Sequence, residues 1–179
     1  MKNLKWFARP DKFKNRLIMV ILGVLIQGFG LSWIIEVSFG TDPCSAFTQG
    51  VISHVPLSFG TAQLLINIIL FVVVFLADTS LIGFGTIANM VFIGYISDFC
   101  RFIYSKTLPA ELFQNTTTRI IILIPALIVF ILGAAMYMTA GLGTSPYDAI
   151  AFIVSERAEN IPFKFIRMSW DIIFLLLGW

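Results

Sequence analysis

The sequence predicts an all-α protein: a polytopic bundle of transmembrane helices built from two parallel four-helix repeats, the second of them incomplete. Three observations support this prediction. Of 179 residues, 58% are hydrophobic and only 12% are charged, against about 25% charged in soluble domains. The apolar residues gather in long segments bounded by glycine, proline and charge. A Gly-Thr-x-Pro phrase also occurs twice, at residues 40–43 and 143–146, an offset of 103 residues.

Seven apolar segments follow one another along the chain, and each is predicted to be a helix. The first and fifth reach the length of about 18 apolar residues that indicates a spanning helix. The second and sixth are short: residues 40–56 extend about 24 Å as a helix, against a hydrocarbon core of about 30 Å. Such segments either span a thin region or re-enter on the side they left. The seven segments cover residues 17–35, 43–56, 60–77, 81–103, 119–140, 146–158 and 163–179.

The positions of lysine and arginine favour one of these alternatives. If every segment spans and the N-terminus is cytoplasmic, all 12 cationic residues lie on the cytoplasmic side. Re-entrant second and sixth segments would move Arg101, Lys106 and Arg119 outside, against the positive-inside bias of short loops. The sequence therefore predicts full spanning. The two copies then share one orientation, related by an axis along the membrane normal.

This topology divides the chain into four parts. Residues 1–16 form a basic cytoplasmic N-terminus, and residues 17–103 form the first four-helix repeat. Residues 104–118 are a cytoplasmic connection, and residues 119–179 are a second repeat that stops after its third helix. Because the last segment ends inside an apolar run, we expect this sequence to be the N-terminal part of a longer chain.

The first copy of the repeated phrase is predicted to start a helix. Asp42 suits the N-cap, where a carboxylate accepts from backbone N–H groups of the first turn. Pro43 suits the first helical position, where its missing N–H costs nothing. Gly40 supplies the permissive backbone for the turn, and Thr41 completes the motif.

The second copy has the same design with different side chains. Ser145 is the predicted N-cap, Pro146 the first helical residue, and Asp148 occupies a position favourable to a carboxylate. Gly143 and Thr144 match Gly40 and Thr41 of the first copy. Capping alone can explain both copies, since an unsatisfied N–H in lipid costs several kcal/mol.

A binding role is the alternative interpretation of the motif. A parallel repeat would place both helix starts near one outward-facing vestibule, as half-helix termini are placed in several transporter folds. Asp42 and Asp148 offset much of the positive helix dipole there. A cation, a proton or a polar neutral ligand is therefore favoured over an anion.

Two polar pairs add candidates for a ligand or ion path. Gln63 and Asn67 lie four residues apart on the third segment, and Arg167 and Asp171 are spaced equally on the seventh, so each pair shares a helix face. Ionisable groups at membrane depth indicate function, although Arg167 and Asp171 also suit a purely structural ion pair. The candidate path comprises Asp42, Asp148, Gln63, Asn67, Arg167 and Asp171.

Other classes of function are disfavoured. The sequence has no Gly-x-Ser-x-Gly, phosphate-binding loop or His-Glu-x-x-His motif, so we expect no enzyme and no cofactor. His54 is the only histidine and has no cysteine cluster to complete a metal site. A net charge of +2 gives no indication of a nucleic-acid partner.

The motifs resemble those of a known family. Gly40-Thr41-Asp42-Pro43, Gly85-Thr86-Ile87 and Gly143-Thr144-Ser145-Pro146 are similar to segments of the YczE/YyaS/YitT group of bacterial multispanning membrane proteins, in particular the YczE-like branch. The resemblance covers nearly all of residues 17–179. It implies a multi-pass protein of the bacterial cytoplasmic membrane and brings no established biochemical activity.

Two hypotheses about function follow. The first is an integral membrane protein that transports a small solute or ion through the interface of its two repeats. The second is a non-transporting membrane regulator or scaffold that binds another membrane protein. The expected partners are the lipid bilayer, a small solute or ion, and a membrane-protein partner or a second copy of the chain.

Overall fold

The computed structural model describes residue 7, residues 9–158 and residues 160–179. Residues 1–6 and 8, within the predicted N-terminus 1–16, lie outside the described residues, as does residue 159. The described part of the chain is all helical and contains no strand, so the predicted fold class is confirmed at this level.

Seven α-helices are present in the described residues. In chain order they are α1 (Phe13–Val37), α2 (Pro43–Ile52), α3 (Phe59–Ala77), α4 (Phe84–Thr107), α5 (Thr116–Thr139), α6 (Pro146–Arg157) and α7 (Phe163–Leu177). Short 3₁₀ turns precede α4, at Thr79–Leu81, and α5, at Ala110–Phe113.

Polar caps set where several of these helices begin. The Ser58 side chain accepts from Thr61 N at 3.2 Å at the start of α3. Asn115 Oδ1 accepts from Thr117 N at 2.9 Å at the start of α5. Each cap satisfies a backbone donor that the first turn would otherwise leave unpaired.

Four of the helices are long and apolar enough to cross a membrane. These are α1, α3, α4 and α5, with mean hydropathies of 2.3, 2.4, 1.2 and 2.7. Large apolar side chains on their outer faces are exposed, including Leu76 at 80% and Ile121 at 66%. Such a surface is stable in lipid and would be an aggregation hazard in water.

The remaining helices are shorter than a membrane-spanning helix. α2 has 10 residues, α6 has 12 and α7 has 15, which correspond to about 15, 18 and 22 Å. The predicted full spanning of segments 43–56 and 146–158 is therefore wrong, because neither helix has the length of a hydrocarbon core of about 30 Å.

The two long helices that precede the repeated phrase are antiparallel. Arg16 Nη1 on α1 donates to Ala140 O beyond the end of α5, at 3.0 Å. Arg119 Nε on α5 donates to Val37 O at the end of α1, at 2.6 Å. Since each arginine meets the opposite terminus of the other helix, the prediction that the two copies are parallel is wrong.

The crossing of α1 and α5 is close because glycines lie at the contact. A Cβ atom added at Gly30 would lie 2.6 Å from Phe130 N, and one added at Gly133 would clash with Gln27 N. Gly30 and Gly133 are 103 residues apart, and so are Gln27 and Phe130, the residues they contact. Each helix therefore contributes the same kind of contact to the other. Only glycine permits this backbone approach.

The start of α4 lies beside the start of α1, so these helices are parallel. The Phe13 and Phe84 rings have centroids 5.2 Å apart, and Arg101 Nε lies 2.8 Å from Glu36 Oε1 near the other end. We call the end of the bundle where α1 begins the proximal end and the opposite end the distal end. The connection 104–118 is therefore distal, which contradicts the prediction that it shares a side with the N-terminus.

The segment between α1 and α3 leaves and returns at the distal end. Gly60 N, at the start of α3, donates to Asp98 Oδ2 at 2.8 Å, one turn from the Arg101 that pairs with Glu36. Because α1 ends and α3 begins at the same end, α2 is part of a re-entrant segment. This is the alternative that the charge count disfavoured.

The second half has the same local arrangement. α6 and α7 are antiparallel, since the Phe152 and Phe163 rings stack with centroids 5.0 Å apart and Asp148 contacts Arg167 further along. The two short helices also pack on the opposite halves, α2 on α7 and α6 on α3. The apolar core between them includes Ile66, Val74, Ile150, Ile153 and Phe174.

Candidate functional site

A cavity of about 220 Å³ lies at the centre of the bundle. Its wall is formed by the N-terminal ends of α2 and α6, by residues of α1, by the first half of α3 and by the C-terminal half of α5, with α4 and α7 closing the sides. Polar side chains from several helices line it: Gln27, Gln63, Asn67, Asn89, Tyr137 and Arg167. The cavity thus gathers polar groups in the middle of apolar helices.

The first repeated phrase forms one part of the wall as predicted. Gly40 has φ +104°, a conformation that favours glycine. Asp42 is the N-cap of α2, with Oδ1 accepting from Ser45 N at 3.1 Å and Oδ2 accepting from Thr41 Oγ1 at 3.2 Å. Pro43 is the first helical residue. The carboxylate therefore sits at the cavity as a cap.

The second phrase forms the facing part. Gly143 has φ +108°, and a Cβ atom there would lie 2.6 Å from Gly83 N, so the turn also needs glycine for space. Ser145 Oγ accepts from Asp148 N at 3.1 Å and donates to Asp148 Oδ2 at 2.7 Å. Thr144 N donates to Leu81 O at 3.0 Å, which ties the phrase to the connection before α4. The predicted N-cap is confirmed.

An arginine joins α6 and α7 beside the cavity. Arg167 Nη1 lies 2.5 Å from Asp148 Oδ1, and its Nε lies 3.3 Å from Asp171 Oδ1. The guanidinium carbon is 4.8 Å from the centre of the Tyr147 ring, and Tyr147 OH donates to Asp171 Oδ1 at 2.5 Å. The second half of the site therefore holds its own cation, enclosed by two carboxylates and an aromatic face.

The first half has a different charge balance. Among the described residues, Asp42 forms no ion pair. At the positions of Arg167 and Asp171 the first half has Gln63 and Asn67, and Asn67 Nδ2 donates to Gln63 O at 3.0 Å. The carboxylate of Asp42 thus remains without a cationic partner in the described part of the structure.

Three lining residues have a buried oxygen atom without a hydrogen-bond partner in the described structure. These atoms are Gln27 Oε1, Gln63 Oε1 and Tyr137 OH. Tyr137 is 2% exposed and Gln63 is 8% exposed. Leaving such groups unpaired costs about 1 to 3 kcal/mol each. Their concentration at one cavity indicates a place that a polar ligand or water satisfies.

Ten of the lining residues form five pairs separated by the repeat offset. The cavity is lined by Gln27 and Phe130, Leu31 and Ala134, Asp42 and Ser145, Cys44 and Tyr147, and Ser45 and Asp148. Each pair is 103 residues apart. Residues at matching distances from the two Gly-Thr-x-Pro phrases therefore meet at the cavity.

The structure brings most of the candidate path together. Asp42, Gln63, Asn67, Asp148 and Arg167 all line the cavity. Asp171 contacts Arg167 from behind and is not a lining residue. The two helix starts meet through antiparallel halves in the middle of the bundle, so the expected outward-facing vestibule of a parallel repeat is wrong.

Sequence reasoning missed several lining groups. Gln27 and Asn89 were recognisable only as isolated polar residues in apolar helices, and Tyr137 lies in an uncharged run typical of lipid contact. Ser45 is only 1% exposed, and no feature of its local sequence marked it as a lining residue. The 103-residue offset would have found Ser45, because it is the counterpart of Asp148.

Comparison with known proteins places the chain in a family. The model of a family of unknown function, DUF6198, matches residues 14–179, and the chain belongs to this family. The uncharacterized membrane protein YczE of Bacillus subtilis (strain 168) is 28% identical over 159 residues, 88% of this chain and 70% of that protein. YyaS of the same organism is 25% identical over 158 residues, 88% and 76% of the two chains.

A third relative comes from another organism. An uncharacterized protein of Haemophilus influenzae is 24% identical over 160 residues, 89% of this chain and 70% of that protein. No solved structure matches the chain. The resemblance to the YczE/YyaS family is thereby confirmed, and with its apolar helices the chain is an integral membrane protein.

Proposed function

We propose that this DUF6198 protein is a transporter that binds a small polar solute or ion in its central cavity. The observation that supports this function best is the meeting of two short-helix N-termini at a polar cavity in the middle of apolar helices. Broken helices whose ends face a central site are a recurring design of secondary transporters. Non-helical backbone is tolerated at membrane depth where it lines such a cavity.

The proposed architecture is an inverted repeat. In this interpretation α1, α2 and α3 correspond to α5, α6 and α7 by a two-fold axis in the membrane plane. The reciprocal hydrogen bonds support it, because Arg16 and Arg119 are 103 residues apart and so are their acceptors Val37 and Ala140. A re-entrant helix in each half then follows the same design on opposite sides of the membrane.

This symmetry suggests how the cavity can open to either side. In inverted-repeat transporters one half rocks against the other around a fixed site. The glycine contacts between α1 and α5 leave few side chains to interlock at the crossing, as Gly30 and Gly133 lie there. The proposed movement is a change of the angle between these two helices.

The proposed location is the bacterial cytoplasmic membrane, crossed several times, with the proximal end in the cytoplasm. Among the described residues, Arg9, Lys12, Lys14 and Arg16 lie at or just before the start of α1 and, with Arg157 and Lys164, belong to this end, whereas Arg101, Lys106 and Arg119 are distal. The majority of cations then obeys the positive-inside bias. We also propose that the protein is not an enzyme and needs no cofactor.

Flux through reconstituted protein tests the proposed function. Asn67→Leu keeps the side-chain size but removes a polar lining group, and we expect it to reduce uptake of a transported solute into proteoliposomes at least tenfold. Gln114→Leu is the matched control, since it makes the same kind of change at an exposed residue between α4 and α5.

The outcomes separate the two hypotheses about function. Saturable uptake by the unmodified protein, lost in Asn67→Leu and kept in Gln114→Leu, supports transport. Absence of uptake across a panel of small cations, amides and sugars, together with stable co-purification of another membrane protein, would instead support the regulator or scaffold.

A further inference from the structure

We propose that the solute of this cavity is a small organic cation with an N–H-bearing ammonium group, bound against Asp42. The inference rests on the proposed function in that it names the solute class of the same cavity. It is carried by the unequal charge balance of the two halves and by the unpaired oxygen atoms between them.

The second half shows how this site holds a cation. Its own guanidinium, that of Arg167, lies 2.5 Å from Asp148 Oδ1 and 3.3 Å from Asp171 Oδ1, and over the Tyr147 ring at 4.8 Å. Carboxylate, carboxylate and aromatic face are the groups that recognise an N–H-bearing cation. The contacts of Arg167 therefore show how a bound cation can be held in this protein.

The first half presents a carboxylate at the cavity but no cation. Gln63 stands where the repeat predicts the counterpart of Arg167, and a neutral amide cannot compensate the charge of Asp42. Asp42 forms no ion pair among the described residues. The carboxylate of this half is the N-cap Asp42, the counterpart of Ser145 and not of Asp148, and a ligand that carries one positive charge would balance it.

The unpaired atoms specify the hydrogen-bonding character of the ligand. Gln27 Oε1, Gln63 Oε1 and Tyr137 OH are buried oxygen atoms without partners in the described structure. The two glutamine oxygens only accept hydrogen bonds, whereas a tyrosine hydroxyl both accepts and donates, so a ligand with at least two N–H donors satisfies them, as a primary ammonium group does. An ionised carboxylate or phosphate ligand has no donor and would leave the two glutamine oxygens unpaired.

The size and lining of the cavity favour an organic cation over a bare metal ion. Its volume of about 220 Å³ exceeds the space of one directly coordinated ion. Among the described residues, no group of three or more His, Cys, Asp or Glu side chains could hold a metal. The aromatic rings of Phe130 and Tyr137 line the same space and attract alkylammonium ions through their faces.

Ligand-induced stabilisation of the purified full chain tests the inference. Methylammonium chloride is the probe, compared at equal ionic strength with sodium chloride, tetramethylammonium chloride and sodium acetate, and with acetamide as a neutral solute. We expect a saturable rise of the unfolding midpoint with methylammonium and none with the other four. An equal rise with sodium, or a rise only with acetamide or acetate, would overturn the inference.

Two variants locate the binding at Asp42. Asp42→Asn keeps an N-cap of similar strength but removes the charge, and we expect the apparent Kd for methylammonium to weaken at least tenfold. Glu111→Gln makes the same chemical change at an exposed residue and should leave the Kd unchanged. Equal binding by Asp42→Asn and the unmodified protein contradicts the inference.

Gln63→Arg provides a test that keeps Asp42. It places a guanidinium where the repeat puts the counterpart of Arg167, so the side chain should replace the ligand and abolish methylammonium stabilisation. Unchanged methylammonium binding in a folded Gln63→Arg protein would show that the cation binds elsewhere.

The inference and the proposed function can fail separately. Methylammonium binding that depends on Asp42, without uptake into proteoliposomes, would leave the cation site standing and contradict transport. If a neutral or anionic solute is taken up, if this uptake depends on Asn67 and if methylammonium does not bind, transport is supported. The inference that the solute is a cation is then contradicted.

Discussion

The halves α1–α3 and α5–α7 use the same backbone device with different electrostatics. Each half has a glycine turn with positive φ, a polar N-cap and a short helix that begins with proline. The second half adds Asp148, Arg167 and Asp171, which hold one another in place, whereas the first half has Ser45, Gln63 and Asn67 at the same positions. A common scaffold therefore carries a charge-paired site in one half and an unpaired carboxylate in the other.

The largest expected effect comes from removing the internal cation. Arg167→Leu leaves Asp148 and Asp171 uncompensated and should reduce the free energy of unfolding by about 3 kcal/mol. This predicted loss is at the low end of the range for a broken buried ion pair, because the side chains of Arg167, Asp148 and Asp171 keep 22% to 30% of their accessible surface. Chemical denaturation in detergent measures it.

The matched change in the first half is Gln63→Leu. This residue has no ion pair to break, and one of its oxygen atoms is already unpaired, so we expect a cost of less than about 1 kcal/mol. The comparison of the halves would fail if Gln63→Leu proved as destabilising as Arg167→Leu.

The next effect tests whether the halves are structurally equivalent. Gly30→Val and Gly133→Val each place side-chain atoms against backbone at the crossing of α1 and α5. Overpacking of this kind costs about 1 to 3 kcal/mol, and the reciprocal geometry predicts similar losses for the two variants. The thermal unfolding midpoints of both variants in the same detergent measure these losses. A severe loss in only one variant would contradict the structural equivalence of the two halves.

A smaller effect compares the two caps. Asp42→Ala and Ser145→Ala each remove a side chain that accepts from the first turn, at a cost of about 1 kcal/mol. Each side chain makes a second hydrogen bond, and Ser145→Ala should cost more because the bond of Ser145 goes to Asp148, which also holds Arg167, whereas that of Asp42 goes only to the neighbouring Thr41. The difference between the two unfolding midpoints measures this, and a larger loss in Asp42→Ala would reverse the expected order.

The smallest effect concerns the reciprocal arginines. Arg16→Lys and Arg119→Lys keep the charge but lose the fixed geometry of the guanidinium. Arg119 donates to two carbonyls, those of Val37 and Ser38, and Arg16 to those of Asp11 and Ala140. We expect each change to cost about 0.5 to 1 kcal/mol, measurable as small shifts of the thermal midpoint with Lys106→Arg as control.

Local features were predictable from the sequence because their signals are local. The N-caps Asp42 and Ser145, the prolines that follow them and the turns at Gly40 and Gly143 depend on neighbouring residues alone. The helical class followed equally from apolar segments that no soluble core of this size could cover.

The topology was not predictable from the count of charges, for a physical reason. Arg101 pairs with Glu36, and Arg119 binds carbonyl groups at the end of α1. These cations stabilise tertiary contacts at the distal end, so counting them as free charges wrongly placed the connection 104–118 at the same end as the N-terminus. A positive-inside count treats such residues as free charges.

The centre of the site was only partly predictable. The four-residue spacing predicted the pairs Gln63 with Asn67 and Arg167 with Asp171. The contact between Arg167 and Asp148 joins two helices, so it could be recognised only in the tertiary structure. Tyr137 resembled any other residue of an apolar helix until its buried hydroxyl was placed at the cavity.

The reciprocal arginine contacts also constrain the order of biogenesis. The carbonyl of Val37 receives its hydrogen bond from a residue 82 positions later, and Arg16 finds its acceptor 124 positions later. When α1 enters the bilayer during synthesis, its terminal carbonyl group and the narrow face at Gly30 have no partner until α5 arrives. We therefore expect α1 to remain in contact with the insertion machinery until then, and release of the nascent chain to depend on α5.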